Sequence, residues 1–171
     1  MERVSAMLDY LKDEMGEGLE KFKQEMLVFD GTQERDAIEI LKSEIESEEI
    51  CVVITYLRSS YITGSHQFKI SLYENDPFMS DATMCRFIDL APLYKRVPEF
   101  IDDLTRKIKS QFIRVMPFEI EEIRRSYMDY LYKNSSFFFE RIVNEMRNDE
   151  GGKIKNIVYF GEEMGETEEI G

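Results

Sequence analysis

Residues 50–75 read ICVVITYLRSSYITGSHQFKISLYEN and are the one long stretch dominated by β-branched and aromatic side chains. Such residues suit a pleated, half-buried surface, so the stretch predicts extended chain. Its single compact turn signal is Thr63-Gly64-Ser65, which predicts a β-hairpin with one strand on each side of that tripeptide. Two strands do not stand alone in water. Amphipathic helices on either side of the stretch must therefore cover their apolar face.

Downstream, Asp76-Pro77 marks a turn, because proline cannot donate to a paired strand. Thr83–Leu90, TMCRFIDL, is a third strand candidate, and short connections predict an antiparallel meander closed by Ala91-Pro92. Pro98 stands where a first helical residue belongs, with Glu99, Asp102 and Asp103 near the start and Arg106, Lys107 and Lys109 near the end. That order of charge matches the helix dipole. Pro117 repeats the signal for a longer helix with Ile120, Ile123, Tyr127, Leu131, Phe138, Ile142 and Met146 facing inward. Asn134-Ser135-Ser136 predicts a bend in it, and Gly151-Gly152 an end. Ile154–Phe160, IKNIVYF, predicts a fourth strand at a free edge of the meander. Residues 161–171 hold glycine and acid with little apolar material and read as a mobile tail.

Upstream, Val4, Leu8, Leu11, Met15, Leu19, Phe22 and Met26 recur in steps of three and four, one helical stripe. Gly16 and Gly18 weaken that helix by about 1 kcal/mol each, which predicts a kink or break there. Asp30-Gly31-Thr32-Gln33 resembles a capping box and starts a second helix over 32–48, with Ile38, Leu41 and Ile45 on one face. Its other face carries Glu39, Glu44 and Glu46. The predicted fold is α+β: a three-stranded antiparallel meander plus a C-terminal fourth strand, packed against two N-terminal and two C-terminal helices. One domain is expected over 1–171, divided into an acidic helical region (1–49), a sheet and helix core (50–160) and the acidic tail (161–171).

The 171 residues suffice to bury about 70% of the surface that the unfolded chain exposes. Twelve Phe and nine Tyr supply the core material, so a disordered chain is excluded despite 33% charged residues. Cys51 and Cys85 lie in apolar, strand-like surroundings and read as reduced core residues. The first residues carry acids throughout, unlike a signal or transit peptide, and no apolar run approaches the ~20 residues of a membrane span. A cytoplasmic protein is expected. The net charge of −13 repels nucleic acid and anionic lipid and favours basic partners. Residues 1–49 hold fifteen acids and six bases, whereas residues 50–150 hold fifteen and fourteen.

No catalytic or cofactor motif stands out. His66 is the only histidine, sits beside the predicted turn, and has no Cys or Asp placed to complete a triad. The metal-ligand spacings C-x-x-C, H-x-x-x-H and E-x-x-H are absent, as are the glycine-rich phosphate loops. Neither a cofactor nor a metal is expected. Glu121 with Arg125 and Asp129 with Lys133 read as helix-supporting ion pairs. Lys95, Arg96, Arg106, Lys107, Lys109 and Arg114 form a basic group suited to pairing with the acidic second helix.

The aromatics of the long helix, Tyr127, Tyr130, Phe137 and Phe139 among them, surround it on more than one side. Such a helix is either central to the core or covered by a partner. Together with Glu39, Glu44 and Glu46 they are the candidate partner-binding residues. The expected function is non-catalytic protein binding by an acidic inhibitor or immunity protein, a chaperone or a regulatory subunit. Two alternatives stand beside it: a small enzyme built from carboxylates, tyrosines and Arg58 or Arg86, and a self-assembling protein dimerising through its first helix.

Overall fold

A computed structural model describes residues 2–28, 51–74, 77, 79–149, 157–163 and 165–170. The predicted second helix, with Glu39, Glu44 and Glu46, lies outside the described residues. Helices and strands segregate as an α+β fold, and the chain forms two compact units, each assembled from separated stretches of sequence.

The first unit is helical. It holds α1 (Glu2–Val28), α3 (Val97–Gln111) and α4 (Pro117–Asn134). The amphipathic stripe of α1 buries Met7, Leu11, Leu19, Phe22 and Met26, so its apolar residues pack within this unit. The break expected at Gly16 and Gly18 does not occur. Gly18 is buried, and a Cβ there would stand 2.5 Å from Cζ of Phe100 and 2.6 Å from Oη of Tyr127. It is a point of close helix approach, and the packing it permits outweighs its weak helix propensity. Pro98 stands in the first turn of α3 as predicted. Ring contacts tie the three helices together: Phe22 to Tyr94 at 5.0 Å, Tyr94 to Tyr132 at 5.2 Å and Phe100 to Tyr127 at 5.0 Å.

The second unit is built on a five-stranded mixed sheet, ordered β3-β2-β1-β4-β5. The meander of β1 (Cys51–Tyr56), β2 (Gln67–Tyr73) and β3 (Met84–Asp89) is antiparallel, with Cys51 opposite Tyr73 and Phe68 opposite Ile88. The connection between β1 and β2 differs from the predicted tight turn, because Arg58–Thr63 forms a short helix, α2. Its hydroxyls explain this, since Thr63 Oγ1 donates to the Ser59 carbonyl at 3.0 Å and competes with extended chain. Gly64, at φ 71°, ends α2 by donating its N–H to the Ser60 carbonyl.

The predicted long helix after Pro117 is two helices. The Asn134-Ser135-Ser136 run divides α4 from α5 (Ser136–Asp149), and the division between the two units falls there as well. α5 covers one face of the sheet, with Phe139 at 5.3 Å from Phe68 and 5.6 Å from Phe160. The fourth strand, β4 (Val158–Glu162), adds to the free edge of β1 as expected and runs parallel to it. A fifth strand, β5 (Thr167–Ile170), forms where the sequence predicts a tail. It pairs antiparallel with β4 and buries Ile170, the one large apolar residue of the strand, opposite Val158. Backbone pairing with a ready strand edge offsets its poor composition.

Candidate interaction surfaces

The partner-binding residues read from the sequence separate into three groups. Glu39, Glu44 and Glu46 lie outside the described residues. Tyr127 and Phe139 are core residues, 2% and 0% exposed. Tyr130 and Phe137 reach the surface, at 38% and 36% exposed. Arg96 and Lys107 of the basic group pair with acids of α1, Arg96 with Glu25 at 2.9 Å and Lys107 with Glu14. Cys85, read as a core residue, is exposed instead, because it points to the sheet face opposite Phe68 and Ile70. Both cysteines remain thiols.

One group of exposed apolar residues close in sequence was not read from the sequence at all. Between α3 and α4 the chain runs FIRVMPF over residues 112–118, and it leaves Ile113 84%, Phe118 63% and Met116 48% exposed. This tip is braced from below. Arg3 donates to the carbonyl of Ile113 at 2.6 Å and pairs with Glu119 at 3.2 Å. The buried carboxylate of Glu119 accepts the Met116 N–H at 2.8 Å, while the Glu119 N–H donates to the Met116 carbonyl at 3.1 Å. The carboxylate bond to the Met116 N–H is one half of a capping box, and a backbone carbonyl stands in for the side-chain hydroxyl that Met116 lacks. Arg114 takes φ 54°, a left-handed conformation rare outside glycine and asparagine. The usable sequence signal was an apolar run between two helices with no polar turn residue.

A cleft of about 250 Å³ opens elsewhere in the helical unit, between α1 and the start of α3. Phe22, Phe100 and Tyr127 form its apolar wall, and Lys21, Glu25, Arg96, Glu99 and Asp103 its charged rim. Its lining contains no Ser, Thr, Cys or His. Burial pushes the Tyr127 hydroxyl far above its ordinary pKa, with the charges of Tyr130 and Glu25 adding to the effect. It therefore stays a neutral hydroxyl.

The sheet unit carries a polar cluster at one end of β1, β2 and β4. Thr55 Oγ1 donates to Glu163 Oε2 at 2.6 Å, and Lys69 Nζ to Glu163 Oε1 at 2.7 Å. Burial raises the Glu163 carboxyl, but the hydrogen bonds from Lys69 and Thr55 outweigh it and hold it below its ordinary range. The same bond raises Lys69 against the opposing effect of burial. A carboxylate so held is a poor proton donor near neutral pH. Arg58 is engaged by Glu162. Arg86 is exposed on β3. His66 is half-buried at φ 44°, and burial lowers its pKa while Asp89 opposes. No group of three or more His, Cys, Asp or Glu placed to hold a metal ion occurs among the described residues, and no helix there is long and apolar enough to cross a membrane.

No protein-family model, curated protein or solved structure matches this chain.

Proposed function

We propose that this chain is a non-catalytic binding protein that docks onto another protein through the tip formed by Ile113, Met116 and Phe118. One observation carries this: three large apolar side chains stand in solvent on a loop that Arg3 and Glu119 hold in place. Large apolar side chains exposed close together in sequence favour a partner that covers them. A pre-braced loop also loses little conformational freedom on binding. The net charge of −13 favours a partner with basic surroundings around an apolar groove. An inhibitor, a chaperone and a regulatory subunit all fit that description, and a cytoplasmic setting fits the two thiols. The cleft supplies carboxylates, a tyrosine and an arginine for the alternative of a small enzyme, yet its lining offers no nucleophile and base pair.

The test compares the wild-type chain with the double variant Ile113→Ser, Phe118→Ser as bait in its native lysate, at low and moderate salt. A stoichiometric protein captured by the wild type and lost at least tenfold by the double variant, with the melting temperature unchanged, supports docking by the tip. Equal capture by both chains removes it.

A further inference from the structure

We infer that the free edge of β3 is a self-association surface, on which β3 of a second copy of this chain pairs antiparallel about a two-fold axis through Phe87. β3 ends the sheet, and among the described residues no strand pairs with its outer side. The ladder with β2 sets which backbone groups point there. Leu90 donates its N–H to the His66 carbonyl at 3.1 Å, in step with the register that places Asp89 opposite Gln67 and Ile88 opposite Phe68. Backbone polar groups alternate along an antiparallel strand, so Met84, Arg86 and Ile88 turn theirs toward β2 while Cys85, Phe87 and Asp89 turn theirs outward. The side chains of those three share the sheet face opposite Phe68 and Ile70, and all are exposed. Phe87, central among them, is 56% exposed and meets no other ring among the described residues.

The other edge of the sheet is guarded. β5 is four residues long and exposes Glu168 and Glu169, charges that repel a second copy of the same strand. β3 is six residues long, and its two charges, Arg86 and Asp89, cancel. Its register with a second copy is also singled out. Centred on Phe87, all three outward residues find outward partners, Phe87 with Phe87 and Cys85 with Asp89 in both directions, each pair exchanging both N–H···O bonds. A centre at Arg86 sets two guanidinium groups directly opposite, which is destabilising. A centre at Ile88 calls on the Ala91 N–H, already given to Asp89 Oδ1, and one at Cys85 calls on the Thr83 N–H, already given to the Leu72 carbonyl. The favoured centre brings the two Phe87 rings opposite each other, so each covers the other as an aromatic cross-strand pair. One strand pair buries less than the roughly 1,200–2,000 Å² of a stable complex, so the dimer is weak. Each copy carries −13, and screening salt therefore strengthens it.

The full-length chain is sedimented from about 10 μM to about 1 mM, at low and moderate salt. Its weight-average mass should rise toward that of a dimer, more steeply at moderate salt. Phe87→Lys, at an exposed position and with the melting temperature unchanged, should weaken association at least tenfold. The tip variant Ile113→Ser, Phe118→Ser should dimerise like the wild type, which separates this pairing from docking by the tip. Asp89→Cys reports the register. Hydrogen-bonded partners hold their Cα atoms about 5.5 Å apart, within disulfide range, so mild oxidation should link that position to Cys85 of the second copy as a reducible dimer. Glu169→Cys, at the guarded edge, should give no such dimer. A monomer at every concentration overturns the assignment, as does a dimer that survives Phe87→Lys or dissociates in the tip variant. Oxidation that links Glu169→Cys as readily as Asp89→Cys overturns it too.

Discussion

The large buried rings of the helical unit are mostly tyrosines, Tyr94, Tyr127 and Tyr132, whereas those of the sheet unit are mostly phenylalanines, Phe68, Phe138, Phe139 and Phe160. A tyrosine brings a hydroxyl into the core that must be placed somewhere, and a phenylalanine brings none. The sheet unit accordingly seals its covered face and moves polar chemistry to strand ends and turns, at Thr55, Lys69, Glu163 and His66. The helical unit keeps polar atoms at depth, and it is there that a cleft opens beside Tyr127 and a buried carboxylate holds the tip. The cleft and the braced apolar tip both lie in the tyrosine-rich unit.

The sharpest way to break this contrast is to empty the sealed core. Phe139→Ala removes a ring that touches Phe68, Phe138 and Phe160, and it should cost about 3–5 kcal/mol. Hydrogen exchange should show the loss in β1, β2 and β4 before α1 and α4; equal loss in both units would erase the distinction. Next in size is a paired test on α1. Gly18→Ala should destabilise by about 1–3 kcal/mol through overpacking against Phe100 and Tyr127. Gly16→Ala, where an added Cβ meets nothing within 4 Å, should stabilise by up to about 1 kcal/mol. Two chemical denaturation curves settle it, and the same sign for both would mean that Gly18 is no close-approach site.

Glu119→Gln tests the brace under the tip. The substitution leaves Arg3 without its ion-pair partner and disturbs the capping bond to Met116, for a loss of about 1–3 kcal/mol. Amide exchange at residues 113–116 should speed up more than exchange in the body of α4. Uniform acceleration would show that Glu119 supports the helix and not the loop.

The smallest effect is a pH dependence of the sheet unit. His66 has its folded-state pKa lowered, so the stability it contributes is present above the unfolded value of 6.5 and is lost as pH falls through the folded value. Glu163, also lowered, adds the same trend further into acid, while Lys69, raised, contributes up to its unfolded value and loses that contribution as pH rises beyond it. Denaturation midpoints should therefore fall as pH drops below 6.5. His66→Asn, which suits φ 44°, should flatten the first part of that fall. An unchanged profile in that variant would exclude the histidine as its cause.

Local signals and their outcomes show how far the chain could be read. Pro98 and Pro117 announce helix starts because proline presets φ and lacks an N–H that the first turn does not need. The meander is legible because its strands are short-range neighbours rich in β-branched residues. Residues 57–62 misled, since Tyr61 and Ile62 carry strand propensity while serine and threonine hydroxyls bond the local backbone. Of the candidate sites, the tip was hidden because FIRVMPF has the composition of a buried segment, and only its place between two helices exposes it.

By itself the sequence determined the α+β class, the positions of most helices and strands, and an acidic chain without familiar catalytic spacings, because each of these depends on residues within a turn or two of one another. Tertiary structure alone decided that β4 runs parallel to β1, that Ile170 anchors a fifth strand, and that Gly18 meets Phe100 and Tyr127. The first and last of these join residues some eighty or more positions apart, and the fifth strand, though only twelve residues from its partner Val158, forms on the edge that β4 presents once it has docked on β1; no local periodicity encodes which distant surfaces meet. The cleft and the brace under the tip have the same origin, since each is made where α1 meets the chain from residue 96 onward.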